Sequence, residues 1–148
     1  MTRFFLAGII QGSIPDLAIH PQDYRKHIKA ILRAHVPGAE VYCPVEHHPK
    51  SLEYDERRGR EVYLGHVERA AASDVVIAFL PEASMGTAVE MWEAHKRGAI
   101  VLAVTPMHEN WTIKFLSTAI FPSLDAFERF VTSGELARRL AERAETRR

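Results

Sequence analysis

Short apolar runs alternate with longer amphipathic stretches along this chain, a pattern that predicts a parallel sheet with crossover helices. Residues 4–7 form the first apolar run, and Gly8 and Gly12 open the loop that follows, with Pro15 further on. Tyr24, Ile28, Ile31, Leu32 and His35 then recur at helical spacing. Arg25, Lys26, Lys29 and Arg33 fall on the other side of that helix, and Pro37-Gly38 ends it. Residues 39–43 read as a second strand stopped by Pro44, and polar residues 45–60 as the longest loop, of a length often tied to function. A helix through Tyr63, Val67, Ala70 and Ala71 leads into residues 75–80, the clearest buried strand. Residues 84–97 read as a helix with Met85, Ala88, Val89 and Trp92 as its apolar stripe, closed by Gly98. A fourth strand over 99–104 ends at Thr105-Pro106. A short helix over 113–118, an edge strand over 119–121 and a helix capped by Ser123 follow. The charged tail, 133–148, places Leu136 and Leu140 on one helix face. The expected fold is a single α/β domain over 1–148, an open three-layer arrangement around five parallel strands.

Composition narrows the partners. Nineteen basic residues balance nineteen acidic ones, so the basic excess expected of a nucleic-acid or membrane-surface binder is missing. A lone cysteine, Cys43, allows no internal disulfide and points to a reducing cytoplasm. The first apolar run is too short for a signal-peptide core or a membrane span.

In an open parallel sheet, ligands sit beyond the carboxyl ends of the strands, here the loops after strands one, three and four. Pro81-Glu82-Ala83-Ser84-Met85-Gly86-Thr87 joins the third strand to a helix. Free N–H groups at a helix start favour an anion or a sugar oxygen. Ser84 and Thr87 add hydroxyls, and Gly86 lets a ligand approach the backbone. Alone, this segment reads equally as a simple Ser cap. Glu90 adds to it: Glu93 has Arg97 four residues on as an ion-pair partner, whereas Glu90 has none and projects on the turn facing the loop. A carboxylate there can attack an anomeric carbon, or it is a structural glutamate; spacing alone divides the two evenly.

On Phe5-Leu6-Ala7-Gly8 with Gly12-Ser13, Ala72-Ser73-Asp74-Val75-Val76, and Ser84-Met85-Gly86-Thr87-Ala88-Val89-Glu90, the chain resembles the nucleoside 2-deoxyribosyltransferase superfamily. Its pattern is nearest that of the deoxynucleoside 5′-monophosphate N-hydrolases. The resemblance spans residues 3–106. It implies a flavodoxin- or Rossmann-like sheet of order 2-1-3-4-5, Glu90 as nucleophile, no cofactor or metal, and a homodimer or larger homo-oligomer with a shared site. Six residues before the nucleophile the transferases carry an aspartate for the sugar 5′-hydroxyl and the hydrolases a serine for phosphate; Ser84 implies a nucleotide. Eight residues before Asp74 the family carries a second acid, and here stands His66. An imidazole of ordinary pKa can protonate a leaving base; the same histidine also reads as packed beside Tyr63 and Ala70, or as a sign of altered chemistry.

The remaining candidates are Gln11 and Ser13 in the first loop, Asp16 as a substitute acid, and Asn110 after the fourth strand. Tyr24, Tyr54 and Trp111 can stack on a base, although core packing or loop anchoring is the commoner role for any one of them. Glu46-His47-His48 with Cys43 lacks the one-face spacing of a metal site. The expected activity is hydrolysis of the base–sugar bond of a nucleoside 5′-monophosphate, its alternatives being base exchange and non-catalytic nucleotide binding.

Overall fold

Val75 to Phe79 is apolar at every position because a parallel strand inside a sheet is covered on both faces. The structure, a computed structural model, describes residues 1–146. Five strands, β1 (Thr2–Gly8), β2 (Ala39–Tyr42), β3 (Val75–Phe79), β4 (Ile100–Val104) and β5 (Ala119–Phe121), pair in parallel in the order β2-β1-β3-β4-β5. The predicted sheet and its order are those observed. Around it lie α1 (Tyr24–His35), α2 (Pro44–His47), α3 (Glu56–Ala72), α4 (Met85–Lys96), α5 (Trp111–Leu116), α6 (Leu124–Thr132) and α7 (Glu135–Thr146). Arg147 and Arg148, the end of the predicted tail helix, lie outside the described residues.

Strand alternation divides the core in two. Phe4, Leu6, Val75, Ile77 and Leu102 face α1, α6 and α7 through Ile28, Leu32, Phe127 and Leu136. Phe5, Ala7, Val76, Ala78 and Ala103 face α3, α4 and α5 through Ala70, Met91, Ala94 and Ile113. Alanines on the second face let α4 approach the sheet closely. The chain leaves β1 for β2 on one side and returns through α3 to β3 on the other. The strand order therefore reverses at the end of β1, where a crevice opens.

Three predicted features differ. Residues 45–60 are not an open loop: α2, a 3-10 turn over Ser51–Glu53 and the first turns of α3 occupy them. Pro at the first turn of α2 and the Asp55 carboxylate accepting Arg58 N–H at 2.8 Å start these helices despite the polar sequence. On α4 the buried stripe is Thr87, Met91 and Ala94, whereas Met85, Val89 and Trp92 are exposed. The i, i+4, i+7 set wins because a threonine, hydrogen-bonded locally, fills an inward position that hydropathy assigns to solvent. Third, His35 is exposed and Arg25 is buried, reversing their expected sides of α1. Among the described residues no helix is long and apolar enough to cross a membrane.

At the amino ends of the strands, the Asp74 carboxylate accepts Arg3 N–H and Arg143 Nη1–H, each at 2.9 Å, and Arg143 Nε donates to Gly98 O at 2.8 Å. The tail helix is thereby tied to three strands. Although burial opposes ionisation, these hydrogen bonds and cations hold the Asp74 carboxyl below its ordinary value. A lowered carboxylate stabilises the fold above its unfolded-state pKa and loses that contribution as pH falls through the folded-state value. Asp74→Asn is expected to cost about 1–3 kcal/mol at pH 7, the gap closing in strong acid, as measured by urea unfolding at several pH values.

Candidate active site

Glycine at the end of β1 is required by contact. A Cβ on Gly8 would press into the Tyr24 ring, 2.8 Å from Cε2, while Tyr24 stacks on Phe79 at 4.0 Å and donates its hydroxyl to Ile9 O at 3.1 Å. Tyr24 is thus a wall of the core, not a platform for a base. The chain turns at Gly12, whose φ of 57° favours glycine. Across the mouth, His20 Nε2 lies 2.8 Å from Glu82 Oε1 and links this loop to the one leaving β3.

Between these loops, α2 and α3 lies a cleft of about 360 Å³, within the range of small-molecule sites. Gly8, Gln11, His66, Ser84, Gly86, Thr87 and Glu90, all singled out from sequence, converge on it. Ser13, Asp16 and Asn110 do not line it. Asp16 sits on an exposed loop with its carboxylate accepting Ala18 N–H at 2.8 Å, and Ser13 is exposed beside it. Asn110 Oδ1 caps α5, accepting Thr112 N–H at 3.0 Å and Ile113 N–H at 3.4 Å. Trp111 is likewise at the surface, edge-on to Phe115. Among the described residues no His, Cys, Asp and Glu side chains gather as a metal-binding set.

One end of the cleft is the start of α4. Ser84 Oγ caps it, accepting Thr87 N–H at 3.4 Å and the Thr87 hydroxyl at 3.0 Å, so the buried Thr87 supports the cap. The Ser84 hydroxyl hydrogen and the Met85 and Gly86 N–H groups are left for an incoming oxygen. The opposite wall is apolar and aromatic: Pro44, Val45, Leu52, Tyr54 and Val62. Glu90 lines the same cleft, one turn along α4 from Gly86 and partly accessible. Burial pushes its carboxyl up to about 8 against the opposing pull of Arg25.

His66 packs in a ring cage of Phe5, Tyr42 and His48, with centroids 5.4 to 6.3 Å away, and its buried Nε2 has no hydrogen-bond partner. Burial, then the nearby His48 and Arg69, lower it to about 4. Neutral near pH 7, it is a hydrogen-bonding group rather than the proton donor that an ordinary imidazole would supply.

Sequence reasoning missed Arg25. It is 3% exposed, lines the cleft, and donates to Leu6 O (2.9 Å), Gly8 O (3.1 Å) and Gln22 Oε1 (2.7 Å). The signal available was Gln22, which stands one turn before Arg25 and locks its Nε.

Known structures share this fold. The 2-deoxyribosyltransferase of Bacillus psychrosaccharolyticus superposes with a TM-score of 0.63 at 20% identity, covering 85% of this chain and 90% of the other. A conserved protein of Enterococcus faecalis V583 gives 0.62 at 20%, with 90% and 98% covered. The CMP N-glycosidase BcmB of Clostridium botulinum gives 0.51 at 17%, with 86% and 94% covered. By sequence, no family profile and no curated protein matches the chain.

A raised glutamate retains in the folded state a proton that the unfolded chain releases between about pH 4.5 and 8. Wild-type stability is therefore fully present below that window and falls as pH rises through it. Glu90→Gln removes the penalty and is expected to be more stable than wild type by roughly 2–4 kcal/mol at pH 8, with little difference at pH 4.5, in urea titrations.

Proposed function

We propose that the cleft cleaves the N-glycosidic bond of a nucleoside 5′-monophosphate. The observation that carries this reading is that Glu90, the Ser84 start of α4 and the apolar residues Val45, Leu52 and Tyr54 all line one cleft. Glu90 Oε attacks the anomeric carbon, the bond from that carbon to the base nitrogen breaks, and a covalent glycosyl-enzyme forms. Water then cleaves the ester and releases the sugar phosphate. Ser84 and the Met85 and Gly86 N–H groups hold the phosphate, the wall of Val45, Leu52 and Tyr54 packs on the base, and His66 Nε2 hydrogen-bonds to it. The fold neighbours support this class of chemistry: one is a CMP N-glycosidase, another a 2-deoxyribosyltransferase. A second base in place of water would turn the same intermediate into base exchange.

A second copy of the chain completes the reading. The layer of α3, α4 and α5 exposes Tyr63, Leu64, Met85, Val89, Trp92, Trp111 and Phe115, more large apolar surface than a solitary helical face usually shows water. Tyr63 and Met85 also line the cleft, so a copy docked there would border the ligand.

Incubation with a nucleotide panel is expected to release free base, detected by chromatography, and Glu90→Ala to lower the rate at least about 10³-fold. Thermal stabilisation by a nucleotide with no base release from wild type would instead establish a binding module. Because the nucleophile must be ionised, kcat/KM is expected to rise with pH toward about 8, the value to which burial raises Glu90. Trp92→Glu is expected to lower the mass seen by light scattering to that of one chain and to weaken turnover; unchanged mass would remove the docked copy.

A further inference from the structure

A heterocycle that leaves a sugar carries away the electron pair of the broken C–N bond, so its departure needs a proton or a fixed positive charge. His66, at the place of the usual acid, is neutral near pH 7 and held among rings, and Asp16 is outside the cleft. Among the described residues that line the cleft, one is always cationic, Arg25.

The Arg25 guanidinium is rigidly held. Nε donates to Gln22 Oε1, Nη1 to Leu6 O and to Cys43 Sγ at 3.9 Å, and Nη2 to Gly8 O. Four of its five N–H bonds thus have acceptors, and one Nη2 hydrogen has none among the described residues. These contacts seat it at the end of β1 and beside Cys43, the residue before Pro44 of the apolar wall. No carboxylate is in direct contact with it: among the described residues no ion pair joins Arg25 to Glu90, although both line the same cleft and Glu90 feels its charge. A buried guanidinium without a counter-ion is costly, and a ligand that develops negative charge beside it offsets that cost.

We propose that Arg25 is a catalytic residue that stabilises the departing base as an anion, its free Nη2–H donating to the acceptor bonded to the carbon beside the glycosidic nitrogen. This inference rests on the glycosidase reading above. As Glu90 Oε bonds to the anomeric carbon, the C–N pair passes into the heterocycle and spreads onto that acceptor. Arg25 keeps its own proton throughout. Water reprotonates the base after departure, and a second water opens the glycosyl-enzyme. Purines and pyrimidines both carry such an acceptor, so the role constrains the leaving group's acidity rather than its ring size.

The test compares two substrates: a nucleotide whose base the wild type releases, and its ring-nitrated analogue, a better leaving group. Arg25→Met is expected to slow the ordinary nucleotide about 10²-fold and the nitrated one less than about tenfold. Arg25→Lys, which keeps a cation, should restore part of that difference. Arg25 also ties α1 to β1, so the variants can lose folded protein, but the ratio of the two rates is independent of how much is folded. A ratio unchanged from wild type in both variants overturns the proposal and leaves Arg25 a structural tie. Release of no base by wild type from any nucleotide overturns the glycosidase reading itself, and this role with it.

Discussion

The grip of Arg25 on the carbonyls of Leu6 and Gly8 is the constraint on which the site depends. Where a parallel strand ends, its last carbonyls lose their neighbours and must find donors. At β1 that demand falls where the strand order reverses, so the group that meets it also faces the crevice. A guanidinium brings both donors on one rigid plane, which an ammonium would not. The result is a buried cation whose position is set by the sheet, with Gln22 fixing it from its own helix and Cys43 behind it.

Two electrostatic states of the cleft follow. Burial keeps a proton on Glu90 near neutral pH and keeps one off His66, so among the described residues the principal lining charge is that of Arg25. That charge accords with the anionic ligand proposed above. The same burial that makes Glu90 reluctant to ionise makes its carboxylate poorly solvated, and so reactive, once formed.

Much of this was legible in the sequence because the sheet writes itself in apolar runs and the loops in glycine and proline. The number of strands and the loops that border the site follow from where those runs end, while the strand order and the choice of His66 come from the family resemblance. What hydropathy could not show was which polar residues turn inward. Arg25 and Thr87 are buried because local hydrogen bonds satisfy them, while Met85, Val89 and Trp92 are apolar yet face out. Residues 45–60 read as loop because their helices are short and started by caps and a proline rather than by an apolar stripe. Asp16 and Asn110 were placed near the site by loop proximity, but each spends its side-chain oxygen on a nearby backbone N–H.

Tyr63 and Met85 belong at once to the cleft wall and to the exposed apolar layer of α3 and α4. Anything that covers that layer also alters the mouth of the cleft, and anything that fills the cleft also alters that layer. Were a second copy to dock there as proposed, occupancy and self-association would be linked equilibria, each shifting the other by the same free energy. Dilution would then itself regulate affinity.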